Sequence, residues 1–174
     1  MRGRTHVALA LVAGRLIYPP ADSLSWLALI VGALAPDFDS GGGLISKPSA
    51  WLPDFVPGRR LLDAPTQIAS KFVRAAVGHR GPLHYPAVAV GLWALAILLT
   101  WPWTRWLAFG YTTHLLADSL TRSGIPWLGP LSRECRGLLP KRFRLRTGSP
   151  VERIIELTAW SWLGISLWQA LKWG

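Results

Sequence analysis

Eight side chains in this 174-residue chain have the types and spacing to hold divalent metal ions: His6, Asp37, Asp39, His79, His84, His114, Asp118 and Glu152. Imidazole nitrogens and carboxylate oxygens are the donors that zinc, manganese and iron share. A metal so held acidifies water, and the chemistry that follows is hydrolysis. In HLLAD, His114 and Asp118 stand four residues apart and share one helix face. In PDFD, Pro36 cannot continue a helix cleanly, so Asp37 and Asp39 belong to a turn that ends one. In HRGPLH, a spacing of five does not stack His79 on His84. Gly81-Pro82 breaks the backbone between them, so His79 comes from the loop and His84 from the first helical turn. Asp39 or Asp37 would serve as ligand or general base. Arg80, with Arg122 as a second candidate, suits bidentate contact with a phosphate.

Each piece also has a plainer structural reading. His114 and Asp118 can be a helix-end cap and an ion pair, and PDFD a solvated turn. Arg80 can be one more loop charge. Glu152 suits simple dipole matching at a helix N-terminus, and His6 lies close to the chain terminus. The combination of all eight is what points to a metal.

The elements that must position these residues are apolar. Hydrophobic residues make up 51% of the chain and charged residues 16%, with 11 tryptophans, whereas soluble domains are about a quarter charged. Five apolar segments are expected as helices: 5–18, 23–36, 82–101, 104–120 and 150–173. The third and fifth reach the roughly 20 residues that a bilayer crossing needs; the other three are shorter and carry polar residues. The polar connections are 40–81, with an amphipathic helix over 64–77, and 121–149, with the basic run KRFRLR. The expected fold is a single all-α domain over 1–174, an integral membrane bundle of about five embedded helices. The N-terminus begins like a signal peptide but lacks a small-residue cleavage site before Tyr18-Pro19-Pro20, and reads as a retained first helix. Cys135 is the single cysteine, so neither an internal disulfide nor a cysteine-held zinc is expected.

The net charge of +10 reads as topology rather than nucleic-acid binding. With the N-terminus, both long connections and the start of segment five on the cytoplasmic side, only Arg15, Arg105 and Lys172 of the 19 basic residues fall opposite. That arrangement puts all four histidines and the acidic candidates at one face. Ionisable groups at membrane depth are costly and usually functional. The competing arrangement is a monotopic protein resting on the surface.

T-H near the N-terminus, PDxD, HRGxxH, and HxxxD followed by S-L-T and a glycine together resemble the YdjM-like family. These are small bacterial and archaeal membrane proteins described as membrane-bound metal-dependent hydrolases, or as LexA-binding inner-membrane-associated hydrolases. The resemblance runs from His6 to about Glu152. It implies that His6, Asp37, Asp39, His79, His84, His114 and Asp118 are the family's site residues; Leu83 stands where the family usually has threonine. More distantly, the pattern is similar to the zinc-dependent phospholipase C and P1 nuclease superfamily, whose clusters hold up to three zinc ions. No histidine follows His114 here and only Glu152 stands in for a late HxxxE pair, so one or two ions are expected, zinc first, then manganese or iron.

The function expected is a metal-dependent phosphoesterase at the cytoplasmic face of the inner membrane. Membrane lipids would be its surroundings, and a phospholipid or lipid-linked phosphate its substrate. The alternative is a non-enzymatic regulatory or scaffold protein with a structural metal, binding a cytoplasmic partner. Metal transport is disfavoured, because transporters place their sites near the midplane.

Overall fold

The computed structural model describes residues 1–40, 44, 47–53, 55–77 and 81–173, of which Asp39, Ser40, Trp51, Ala76 and Val77 are described as backbone only. Six α-helices carry the described chain: α1 (Gly3–Ile17), α2 (Ser23–Leu34), α3 (Asp63–Val77), α4 (Pro86–Leu99), α5 (Pro102–Ser119) and α6 (Pro150–Trp173). Among the described residues there is no strand, only two isolated bridges inside the 121–149 connection. The all-α expectation therefore holds, and the amphipathic segment expected at 64–77 is α3.

Local chemistry sets the helix starts. Asp22 caps α2: its carboxylate accepts from the Ser25 backbone N–H and hydroxyl, both at 2.8 Å. Pro86, Pro102 and Pro150 open α4, α5 and α6, where a missing N–H costs nothing. Ser149 caps α6 through the Glu152 N–H. Asp63 opens α3 and is held by the Ser49 hydroxyl at 2.7 Å and backbone N–H at 2.8 Å, which keeps its carboxyl below the usual carboxylate range.

The third apolar segment differs from expectation. Pro82 and Pro86 split it into a 3₁₀ turn over Pro82–His84 and the 14-residue α4. Tyr85, lying before a proline, is extended at φ −76°, ψ 131°. At about 1.5 Å per residue, α4 is roughly 21 Å long against a hydrocarbon core of about 30 Å. The fifth segment forms the 24-residue α6, but Glu152, Arg153, Glu156 and Lys172 interrupt its apolar character. No described helix is long and apolar enough to cross a membrane.

The closest helix pair is α2 against α5. A Cβ on Gly32 would lie 2.2 Å from the Leu107 carbonyl oxygen, and one on Gly110 2.1 Å from that of Leu29. The two glycines let the backbones touch, as small residues do wherever helices pack at short range. Beside this contact Ala10, Leu29 and Ala33 form one buried cluster, flanked by Trp26, Trp106 and Phe109. A second cluster, Ala89, Tyr111, Leu115 and Ile125, joins α4, α5 and the 121–149 connection. α6 packs along α1, where the Arg15 guanidinium donates to the Ser166 hydroxyl at 3.3 Å.

α4 ends at Thr100, which adopts φ 56°, ψ 0°. A β-branched residue is strained in this left-handed region. Thr100→Gly is therefore expected to stabilise the fold by about 1 kcal/mol, read as a higher thermal unfolding midpoint in detergent.

Candidate metal centre

His114 and Asp118 occupy the last two turns of α5, one above the other, as the i, i+4 spacing requires. Both are fully buried, as are His6 from α1 and His84 from the turn before α4. Asp37 enters from the 3₁₀ turn over Ala35–Ser40, into which α2 runs at Pro36. Four separate parts of the chain thus deliver five side chains to one place.

The carboxylate of Asp118 lies at the centre. Its Oδ1 is 3.3 Å from His6 Nε2, and its Oδ2 is 3.9 Å from Nε2 of both His84 and His114. Asp37 Oδ1 lies 3.9 Å from His84 Nε2 and 4.0 Å from His114 Nε2. Two overlapping donor groups result: His6, His114 and Asp118, and Asp37, His84 and His114. The rings of His6 and His114 stack at 3.7 Å. The α-amino group of Met1 also contacts Asp118.

The tautomer of His114 follows from its backbone contact. Its Nδ1 lies 2.7 Å from the Ala33 carbonyl oxygen, which can only accept, so Nδ1 carries the proton. Nε2 then presents a lone pair inward. This atom is buried with no hydrogen-bond partner among the described residues. An imidazole fixed by a carbonyl on one nitrogen, with the other open toward carboxylates, has the usual form of a metal ligand. Donors around a tetrahedral zinc stand about 3.3 Å apart; the carboxylate–imidazole separations are 3.3–4.0 Å and all donors of a group lie within 4.8 Å of one another, so the groups must draw in around an ion. The donor set fits a divalent cation.

Asp37 is the member nearest solvent, with a side chain 18% exposed against 1% or less for the others of its group. Water reaching the centre would arrive on that side.

Among the expected site residues, His6, Asp37, His84, His114 and Asp118 are brought together. His79, Arg80 and the Asp39 side chain lie outside the described residues. Arg122 lies on the exposed surface just past α5. Glu152, expected as a ligand, stands outside both donor groups. Its carboxylate accepts from the backbone N–H groups of Arg2 and Gly148, each at 2.5 Å, and from the Thr5 hydroxyl at 3.2 Å. It ties the start of α6 to the start of α1, one residue from His6. Glu152→Ala would orphan three donors at about 1–3 kcal/mol for each that stays buried. It is expected to lower the unfolding midpoint while the protein that remains folded keeps its full metal content by elemental analysis.

Sequence reasoning did not identify Tyr111, whose hydroxyl donates to the carbonyl of Leu83, next to His84. The available signal was its position three residues before His114 on the same helix face. Ala33, which orients His114 through its carbonyl, carries no side-chain signal at all.

Residues 1–172 match the YdjM inner membrane protein family. The chain is 33% identical over 129 residues to proteins named inner membrane protein YdjM from Escherichia coli K12 and from Shigella flexneri. Those alignments take in 67% of this chain and 60% of each relative, so the chain matches somewhat less than two thirds of their length. No solved structure matches. With a family match that runs through every residue of the donor groups, this chain belongs to the YdjM inner membrane protein family.

Proposed function

We propose that this protein is a metal-dependent hydrolase of the inner membrane, acting on a phosphoester at the cytoplasmic face. The observation that carries the reading is the His114 imidazole, held through Nδ1 by Ala33 with Nε2 turned to Asp118 and Asp37 inside a buried cluster of three histidines.

His6, His114 and Asp118 would hold an ion, or Asp37, His84 and His114 would, since the one lone pair of His114 Nε2 serves a single ion at a time; a second ion would rest on the remaining donors of the other group, giving one or two ions in all, with zinc favoured by the donor set. A bound divalent ion would supply a water acidified to near neutrality and a counter-charge for phosphoryl oxygens. Each group offers three protein donors among the described residues, which leaves a position open, as catalytic sites do. Asp37, at the solvent side, would serve either as a ligand or as the group that takes a proton from an incoming water. The buried histidines fix the donors and exclude competing solvent.

Membrane embedding is supported by the family and by the surface. α4 exposes Val90, Ile97 and Leu98, and α6 exposes Ile165, Leu167, Trp168 and Leu171. Apolar surface on this scale marks contact with lipid or a partner. The charge distribution favours the donor cluster and the N-terminus facing the cytoplasm.

The test is hydrolysis of bis(p-nitrophenyl) phosphate and of a phosphatidylglycerol by zinc- or manganese-loaded protein in detergent. Asp37→Asn is expected to lower turnover by about 10²–10⁴-fold, the span of general base catalysis. Metal bound stoichiometrically with no turnover of either phosphoester would instead make the centre structural, in a bundle that docks a cytoplasmic partner.

A further inference from the structure

The 121–149 connection is a strap fixed to the end of α5. The Leu145 N–H donates to the Leu120 carbonyl at 3.0 Å, that of Arg122 to Leu145 at 2.9 Å, and that of Leu138 to Ser119 at 2.8 Å. A second set of bonds pairs Ile125 with Arg136. The strap thereby begins within one turn of Asp118, and its backbone leaves little freedom to the side chains near that helix end.

Three cations converge there. Among the described residues, Arg122, Lys141 and Arg144 line a cleft of about 260 Å³. Arg122 by itself would be accounted for by the C-terminal dipole of α5. Lys141 and Arg144 arrive from about twenty residues further along, and that account does not cover them. None of the three forms an ion pair among the described residues, whereas Arg136, on the same strap, pairs with Glu134 at 2.8 Å. Arg144 is also held in place: its Nε donates to the Leu139 carbonyl at 2.7 Å and its Nη2 to the Gly137 carbonyl at 3.3 Å. Like charges gathered without a counter-ion repel, and an anion relieves that repulsion. A guanidinium already oriented loses little freedom on binding.

We infer that Arg122, Lys141 and Arg144 form a phosphate-binding cleft on the strap that leaves α5 after Asp118, which receives a phosphate group of the substrate or of a neighbouring headgroup. This deepens the phosphoester reading and rests on it for the identity of the anion. Lipid headgroups and soluble phosphate present the same chemistry to the cleft, tetrahedral oxygens with negative charge.

The experiment uses the full chain in a neutral detergent, titrated calorimetrically with inorganic phosphate and, separately, with dihexanoyl phosphatidylglycerol. Metal content is measured on the same samples. The test variant is Arg122→Gln/Lys141→Gln, two exposed positions. The control is Arg133→Gln/Arg142→Gln, which removes equal charge from exposed positions outside the cleft. Wild type is expected to bind at least one probe, and the test variant to bind it about tenfold or more weakly with metal content unchanged. The control should stay within about twofold. Similar affinity for both probes would assign a bare phosphate site; markedly tighter lipid binding would assign a headgroup site. Equal weakening in control and test variant, no weakening in the test variant, or no binding of either probe by wild type would overturn the cleft. Because metal content is read independently, a failed cleft with bound metal leaves the metal centre standing, and absent metal with intact cleft binding does the reverse.

Discussion

His114→Ala is expected to abolish metal binding at both donor groups at once, weakening affinity by about 100-fold or more. The imidazole belongs to both groups, so without it each keeps only two of its three donors. Loss of an outer-shell partner alone typically costs 10–100-fold in metal affinity, and a shared ligand must cost more. The same substitution should also lower the stability of the metal-free fold, because it removes a fully buried ring and leaves the Ala33 carbonyl without its donor. His114 makes one hydrogen bond, to Ala33, and its other nitrogen is buried without one among the described residues. The two effects separate in one set of melting curves. Metal at 100 times its dissociation constant adds about 2.7 kcal/mol to a protein that binds it when folded. Zinc or manganese at that concentration should therefore raise the unfolding midpoint of wild type and add no more than about 0.4 kcal/mol to His114→Ala, each compared with its own metal-free form. Equal upward shifts of wild type and variant on adding metal, or no shift in wild type, would mean that the cluster is not held for a metal.

Gly110→Ala is expected to be among the most damaging single methyl additions at the described residues. The added Cβ would sit 2.1 Å from the Leu29 carbonyl oxygen and 2.9 Å from the Ala33 nitrogen. Both are backbone atoms of α2 and cannot move aside as a flexible side chain does. The helices must separate, opening the cluster around Leu29 and Ala33. Overpacking of a rigid contact costs about 3 kcal/mol or more, which for a chain of this length lowers the midpoint by roughly 10 °C. The site suffers too, because the Ala33 carbonyl that orients His114 lies on the helix that is pushed away. Gly91→Ala serves as the control. Nothing lies within 4 Å of a Cβ there, and the change should stabilise α4 by about 0.5–1 kcal/mol. Equal midpoints for the two variants would show that α2 and α5 are not in backbone contact.

The helices were legible because prolines and apolar blocks punctuate this sequence. The expected 150–173 segment is α6, and 64–77 falls within α3. The third segment forms a shorter helix than its apolar run suggests, and both of its breakers, Pro82 and Pro86, stand in the sequence. Counting apolar residues from Pro82 to Trp101 passed over His84-Tyr85-Pro86, where the residue before proline is steered out of the helix. That break matters, since it frees His84 from the helix and lets the turn carry it beside Asp118.

In the site, HLLAD was readable because both donors lie on one helix and helical geometry alone places them together. The convergence of His6, Asp37 and His84 on that pair required a topology, which the charge distribution supplied as an expectation. Glu152 shows where such reading stops. Its donors are the backbone N–H groups of Arg2 and Gly148, and backbone donors leave no trace in residue identity. The crossing of Gly32 and Gly110 is hidden for a related reason: one glycine in each helix forms no repeat, and only the packed structure shows that they face each other.

The measurement that bears most directly on the central claim is elemental analysis of detergent-purified wild-type protein, before and after reloading with zinc or manganese, beside His114→Ala. One or two equivalents of metal per chain in wild type, lost in a variant that remains folded, is the predicted result. Folded wild type that carries no metal even after reloading would contradict the metal centre and the hydrolytic function built upon it.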